Sequence, residues 1–590
     1  MRESATVLDM LQARGKRGVP VDDLYRQLYN PSLYLRAYGR IYANDGAMTP
    51  GSTPETADAM SLKKITQIID DLKHERYRWT PVRRTYVPKK NGRLRPLGLP
   101  TWTDKLLQEV IRSLLEAYYE PQFSDASHGF RPGRGCHTAL SQIRHAWTGV
   151  RWFVEGDLEA CFDRLDHTVL LNILAEKIHD HRFLRLIKHL LQAGYLEDWR
   201  YHSTLSGAPQ GSIVSPILSN IYLDQLDHLI ETELIPQWTS GQIRGTNPAY
   251  ARLKTRIGEA RKKGEPQRAQ ALLRQAQRLP SKDPHDPGYR RLKYVRYADD
   301  LLLGFVGSRR EAEHIKAHLG ELLKHKLHLT LSQEKTLITH AHSQQARFLG
   351  YGIQTQHRDD KLSADGHRRI NLRIALRVPA EVIQKKTAFY QHKGKPLRRL
   401  PLTGCSDYTI LNTYQQELRG LIQYYALANN VCWFNRVQWA ARQSLLQTLA
   451  TKYRSTTTKM AKRFASTVET PNGERNCLEA ILARPGKEPL VARFGGIPLI
   501  TKKNAVPLDL NLPPIRYEKK EVIRRLIAHT CELCGTKEDD CIVHQVRKLA
   551  ELEHMGKDRP LWAEVMLKRR RKTLIVCQSC HHALHEDGRR

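Results

Sequence analysis

Apolar and polar positions change rhythm several times along this chain. In residues 104–118 (DKLLQEVIRSLLEAY), Leu107, Val110, Ile111, Leu114, Leu115 and Tyr118 recur at helical spacing. That predicts a helix with one core-packing face. In KYVRYADDLLLGFVG, Tyr294, Val295 and Tyr297 lead into Asp299-Asp300, and Leu301, Leu302, Leu303 and Phe305 lead out. Two apolar runs around an acid pair predict a hairpin with carboxylates at its tip. Trp152, Phe153 and Val154 predict a strand that ends near Asp157. Residues 1–60 read as mixed helix and turn. Residues 243–288 are basic, polar and flanked by Pro and Gly, so they read as an arm on the surface. Residues 375–475 tend to helix and are strongly basic. A Pro- and Gly-rich stretch near 471–515 reads as a linker with short extended pieces. No internal repeat is evident.

Charge narrows the range of partners. The 590 residues hold 95 Lys+Arg against 61 Asp+Glu, a formal net charge of +34 and a pI near 9.8. Such a balance points to a polyanion, either nucleic acid or an anionic membrane surface. No apolar run reaches the roughly 18 residues of a membrane span, and MRESATVLDMLQARGKRG lacks the apolar centre of a secretory signal. The chain holds ten cysteines, and those beyond residue 530 cluster with histidines. That is no secreted disulfide framework, and a reducing cytosol fits it.

Candidate chemistry begins with the acids. Adjacent buried carboxylates are costly unless cations accompany them. Two-metal phosphoryl transfer requires carboxylates that bridge ions roughly 3.5–4 Å apart. Asp157 and Asp299 are the candidate bridging ligands, with Asp300 in a lesser role. Asp163 supports them or caps the helix beginning LDHTVL. Lys89, Lys90, Arg93 and Arg95 surround Asn91-Gly92, which reads as a hairpin turn with a phosphate-binding surface or as a solvated basic loop. Gly207, Gln210 and Gly211 surround Pro209 in a tight turn that could admit a nucleic-acid backbone or be an ordinary surface turn. In TKYRSTTTKMAKRF, Lys452, Arg454, Lys459, Lys462 and Arg463 occur with no acid, a spacing suited to phosphates along structured RNA. Cys531-x-x-Cys534 and Cys577-x-x-Cys580 form two thiolate knuckles that match tetrahedral Zn²⁺, with Cys541 a spare thiol. His581 and His585 share a helical face.

The motifs together resemble those of the group II intron-encoded proteins, reverse transcriptase–maturases with a C-terminal HNH-type endonuclease domain. VPKKNGRLRPLGLP (87–100) and SHGFRPGRGCHTAL (127–140) resemble the first two fingers blocks. GDLEACFD (156–163), SGAPQGSIVSPILSNIYL (206–223), YADD (297–300), LSQEKT (331–336) and RFLGY (347–351) resemble the palm blocks in order. LYNPSLYLRAYGRIYANDGAMTPG (28–51) resembles the N-terminal extension of this class. VHQVRKL (543–549) and CHHALH (580–585) resemble the two halves of a ββα-metal fold.

The resemblance implies a multidomain α+β protein. Its parts would be an N-terminal extension (1–60), a right-hand polymerase with fingers and palm (61–370, with 243–288 inserted), a helical thumb/maturase region that binds RNA (371–475), a linker or DNA-binding region (476–519), and a small zinc-containing HNH-like domain (520–590). It implies a Mg²⁺-dependent RNA-directed DNA polymerase. Lys89, Arg95 and Lys335 would meet nucleotide phosphates, Phe162 would abut the incoming sugar, and Gln210 would contact the nascent pair. Group II intron RNA would be the ribonucleoprotein partner in splicing. Target DNA and dNTPs would be the partners in target-primed reverse transcription and retrohoming, with no membrane partner. The setting would be bacterial cytoplasm, with nucleoid association during action on DNA. His544, His581 and His585 would hold one divalent ion of the nuclease. One position departs from the family, in which the first half of an active nuclease carries two adjacent histidines, the second of them the general base. Here the pair is His544-Gln545, and glutamine accepts no proton at neutral pH. A splicing-only RNA-binding maturase and a domesticated or defence-associated reverse transcriptase are the alternatives.

Overall fold

The computed structural model describes residues 2–88, 92, 94–159, 161–198, 200–204, 207, 211–332, 334–357, 371–484, 487–502, 517, 520–553 and 559–587. Its central sheet has the strand order Arg291–Tyr297, Asp300–Val306, Trp152–Asp157, Leu337–His340, with every neighbouring pair antiparallel. The unbroken apolar run after Asp300 has a simple cause. Side chains alternate across a strand, and both faces of this sheet are covered. Leu301, Leu303, Phe305 and Val154 enter one core, while Leu302, Val295 and Phe153 enter a second.

The first core holds the predicted helix, Trp102–Tyr119, with all six of its expected apolar residues buried. It also holds helices Ser215–Leu229 and Arg309–Leu327 and the N-terminal helices Ser4–Lys16 and Pro31–Ile41. The second core holds helices Asp407–Tyr424 and Phe434–Lys452. Strands Val82–Pro88 and Leu94–Leu99 pair antiparallel on either side of the basic stretch, whose Lys89, Lys90, Asn91 and Arg93 lie outside the described residues, and are extended by Tyr195–Glu197 and Arg200–His202. The inserted arm is a pair of helices, Pro248–Lys262 and Pro266–Gln277, whose Ile257, Ala260, Ala269 and Ala276 are buried.

Two of the expected divisions require correction. The expected junction at 475/476 falls inside a strand. Ala465–Thr470, Gly473–Arg484 and Lys487–Gly495 form a three-stranded antiparallel sheet, not a helical end followed by a linker. Leu478, Ala480, Ala492 and Phe494 turn into the second core, and Glu479 pairs with Arg493 across the strands. Pro and Gly in this stretch mark hairpin ends, and the period-two pattern between them carries the strands.

The second correction concerns the independence of residues 1–60 and 520–590. Met60–Ser61 pairs with Ile542–Gln545, which pairs with Thr573–Val576, so the N-terminal region supplies the third strand of the C-terminal sheet. Val522, Ile523, Leu526, Val543 and Ile575 lie in the same core as the N-terminal helices. Leu574, Val576, Trp562, Met566 and Leu584 form a smaller core of their own. Among the described residues, no helix is long and apolar enough to cross a membrane.

Candidate active site and metal clusters

The acid hairpin is set by strand register. Asp157 lies opposite Asp300, and Tyr297 lies opposite Asp300 from the other side, leaving Ala298-Asp299 as a two-residue turn. Ala298 adopts φ 56°, an unusual conformation for a residue with a Cβ. Its carbonyl accepts a 3.0 Å hydrogen bond from Arg296 Nη1. Arg296 also donates to both carboxylate oxygens of Asp227, at 2.8 and 2.5 Å, and to Ser127 Oγ at 2.9 Å. Arg296 and Asp227 are fully buried, and the Tyr294 hydroxyl donates to the same carboxylate at 2.7 Å. Gly129 presses on the turn, where an added Cβ would stand 2.3 Å from the Ala298 nitrogen. The SHG stretch at 127–129 is thus a brace beneath the acids. Sequence reasoning passed over this brace, although an arginine within an apolar strand run was a signal that it had a buried partner.

The carboxylates crowd one another. Burial, then the charge of Asp157, raises the pKa of Asp299. Asp300 is reached by solvent, yet crowding by protein, then by the charges of Asp299 and Asp157, pushes its pKa up to about 6. Lys335 Nζ donates to Asp157 Oδ2 at 2.6 Å, and this bond holds the ammonium pKa above its ordinary value. Arg95, on the basic hairpin, and Lys335 partly offset the charge on Asp299. Three mutually repelling carboxylates are a hard-oxygen set that fits Mg²⁺.

The remaining nucleotide-site expectations divide. Lys89 and Gln210 lie outside the described residues, as does the side chain of Phe162 on the short helix Cys161–Arg164. The cap of the LDHTVL helix is Asp166, which accepts from the Thr168 and Val169 amides, while the side chain of Asp163 lies outside the described residues. Gly207 and Gly211 have φ of 86° and 105°. A Cβ on Gly211 would stand 2.5 Å from the Gly98 carbonyl oxygen, so Gly211 abuts the strand Leu94–Leu99. Gln108 Oε1 anchors it by accepting from Ser212 Oγ at 2.8 Å and the Ile213 amide at 3.0 Å.

In the 452–463 cluster, Arg454, Lys459, Lys462 and Arg463 are exposed, and Arg463 sits 4.3 Å over the Tyr453 ring. Lys452 stands apart from them. Its ammonium donates to Asp407 Oδ1 and the Cys405 carbonyl, each at 2.7 Å. The acid absent from the local sequence comes from another helix.

The C-terminal domain gathers two ligand sets. Cys531, Cys534, Cys577 and Cys580 bring their sulfurs within 4.8 Å of one another. The Cys534–Cys577 separation of 3.8 Å suits tetrahedral zinc, whose roughly 2.3 Å bonds imply about the same spacing. Cys541 is buried and outside the set. His544, His581 and His585 converge as expected, but with a fourth member that sequence reasoning missed, Asp58. Asp58 Oδ2 lies 3.0 Å from His585 Nε2 and 3.5 Å from His581 Nε2, and its Oδ1 accepts from the Gln545 amide at 2.8 Å. Burial opposes the Asp58 charge, but His544, His581 and the Gln545 amide outweigh it and hold the pKa below the usual range. The Gln545 side chain donates to the Tyr42 carbonyl at 2.7 Å. It lines a cleft of about 740 Å³ with Arg525, Arg547, Lys548, Arg571 and Lys572.

Comparison with known proteins agrees with this geometry. Residues 87–353 match the model for reverse transcriptase (RNA-dependent DNA polymerase), 371–483 that for type II intron maturase, and 531–581 that for AI2M/AI1M-like HNH endonuclease. Group II intron-encoded protein LtrA of Lactococcus lactis subsp. cremoris is 37% identical over 99% of this chain and 100% of its own length. An uncharacterized 91 kDa protein in the cob intron of Schizosaccharomyces pombe is 33% identical over 98% of this chain and 72% of its own. A putative COX1/OXI3 intron 2 protein of Saccharomyces cerevisiae is 30% identical over 94% and 65%. The chain belongs to the group II intron-encoded proteins. It is a reverse transcriptase and maturase with a right-hand polymerase region and an HNH endonuclease domain.

Proposed function

We propose that Asp157 and Asp299 hold the catalytic magnesium ions of DNA synthesis, with Asp300 supporting them. Their convergence at one end of the central sheet carries this reading. Bound there, magnesium would lower the pKa of the primer hydroxyl and stabilise the leaving pyrophosphate. Arg95 and Lys335 would meet the nucleotide phosphates, and Lys335 would exchange its contact with Asp157 for them. Lys89, Phe162 and Gln210 would complete the nucleotide site. The exposed cations Arg454, Lys459, Lys462 and Arg463 would track intron RNA, and the four cysteines would hold a structural zinc ion. In a ribonucleoprotein with its intron RNA, the protein would promote splicing and copy the intron into target DNA by target-primed reverse transcription. Its setting would be bacterial cytoplasm, at the nucleoid during insertion.

The nuclease domain is proposed to bind target DNA and nick it poorly, because Gln545 stands where the family's base belongs. The deciding experiment for the polymerase is primer extension on an RNA template with and without Mg²⁺. Extension by the native chain with Mg²⁺, and none by Asp299→Ala, is expected. Full extension by Asp299→Ala would overturn the assignment and reopen the splicing-only alternative.

A further inference from the structure

Asp58 is distant in sequence from the nuclease motifs, yet its carboxylate lies among their three histidines. Two observations there go beyond an ordinary ion pair. Both ring nitrogens of buried His544 lack a hydrogen-bond partner, although Nδ1 is only 3.3 Å from Asp58 Oδ1. His581 Nε2 and His585 Nε2 face each other at 3.2 Å. Two imidazole nitrogens aimed at each other compete for one proton unless a cation lies between them. One ligand atom from each of the four residues falls within 4.8 Å of every other. Three imidazoles and one carboxylate are a tetrahedral donor set for a borderline-soft ion such as zinc.

We propose that Asp58 is the fourth ligand of a closed His₃Asp divalent-ion site, zinc in chemical class, which clasps the nuclease domain to the N-terminal extension. The proposal rests on the reading of His544, His581 and His585 as metal ligands. It adds that the coordination shell is completed by the chain itself. Structural sites are closed in this way, while catalytic ones leave a position for water or substrate. A scissile phosphate would reach the ion only after Asp58 withdraws. The surrounding contacts hold Asp58 in place. Its Oδ1 accepts from the Gln545 amide, Gln545 Nε2 is bonded to Tyr42, and the adjoining Met60–Ser61 strand is paired into the nuclease sheet.

Cobalt(II) substitution of the full chain tests this. With excess Mg²⁺ present to occupy the polymerase carboxylates, the native protein is expected to take up about two cobalt ions per chain, one with the charge-transfer band of thiolate ligands and one with the visible absorption of a tetrahedral nitrogen–oxygen site. Asp58→Asn keeps an oxygen to accept from the Gln545 amide. It should leave the thiolate band intact, weaken the second ion's affinity by at least about 10-fold, and reduce its absorption as water enters. Native stoichiometry, affinity and absorption in Asp58→Asn would overturn the proposal. His585→Ala separates the two levels. Loss of the second ion there, with none in Asp58→Asn, would sink only the Asp58 assignment, whereas its retention would sink the histidine site as well. Hydrogen exchange on the unmutated chain gives a check that does not depend on a folded variant. The second equivalent of zinc should slow exchange in peptides spanning 50–61 as well as 541–547, and protection confined to 541–547 would refute the clasp.

Discussion

The polymerase acids and the nuclease histidines solve opposite problems. Asp157, Asp299 and Asp300 converge at one end of the central sheet, where Lys335 and Arg95 only partly offset their mutual repulsion. The nuclease histidines sit behind a carboxylate that already faces them. In the first site the compensating charge is placed underneath. The buried Arg296–Asp227 pair shapes the turn without neutralising the acids. In the second, the compensating charge is inside the ligand shell. An open site has unmet charge and a rigid support, whereas a closed one satisfies itself.

The largest effect should come from the open site. Asp157→Ala or Asp299→Ala is expected to lower dNTP incorporation by about three orders of magnitude or more. Intron RNA affinity, measured by filter binding, should stay within about twofold. A comparable loss of RNA binding would show that these acids support the fold and not the chemistry.

Next in size is the support itself. Arg296→Met leaves Asp227 buried and unpaired, which should destabilise the protein by about 3–5 kcal/mol in urea unfolding. Adding Asp227→Leu should recover part of the stability but not polymerase activity, because the Ala298 carbonyl still lacks its donor. Full recovery of activity would show that the turn needs no brace.

For the closed site, Gln545→His supplies a titratable ring, whose presence is commonly worth about two to four orders of magnitude. Here the gain in target-strand nicking is expected at the low end. The Gln545 side chain faces the Tyr42 carbonyl, while His544, its neighbour on the strand, faces Asp58. Combining it with Asp58→Asn should raise nicking further. Strong nicking by the native chain would overturn the reading of Gln545 as an absent base.

A smaller change should follow from replacing Lys459, Lys462 and Arg463 by neutral residues. The slope of log affinity against log salt should fall by about two. An unchanged slope would place these cations away from RNA.

The smallest effect is a pH dependence. Burial, then the charge of Asp227, pushes Asp224 up to about 7. The unfolded carboxyl ionises near pH 4, so the native state binds the extra proton between about pH 4 and 7, and stability falls as pH rises through that window. Asp224→Asn should therefore melt higher than the native chain at pH 8 and equally at pH 4. The difference should be about 1 kcal/mol, because the side chain is only partly shielded from solvent.

Local rhythm made much of this legible. The acid hairpin, the core helix, the inserted arm and the four cysteines were readable because spacing and residue type state them directly, and the three histidines through the resemblance of their motifs to the ββα-metal halves. What escaped was any partner supplied from afar. Asp227 for Arg296, Asp407 for Lys452, Gln108 for the glycine turn and Asp58 for the histidines carry no local mark. A lone carboxylate or amide has the same pattern in a solvated loop as in a buried site. The sheet over 465–495 was hidden differently, because the Pro and Gly that end its hairpins were read as a linker.

The pairing of Met60–Ser61 with Ile542–Gln545 has a consequence for how the chain is made. The strand that completes the nuclease sheet emerges from the ribosome long before its partner strand. Until then, the N-terminal helices lack the Val522, Ile523 and Leu526 side chains that share their core. A 520–590 fragment expressed alone would expose the unpaired backbone of Ile542–Gln545, an edge prone to strand-to-strand association. Excising those residues would uncover apolar surface on the polymerase side. Residues 1–61 and 520–587 would therefore close as one folding unit, and neither would be movable without the other.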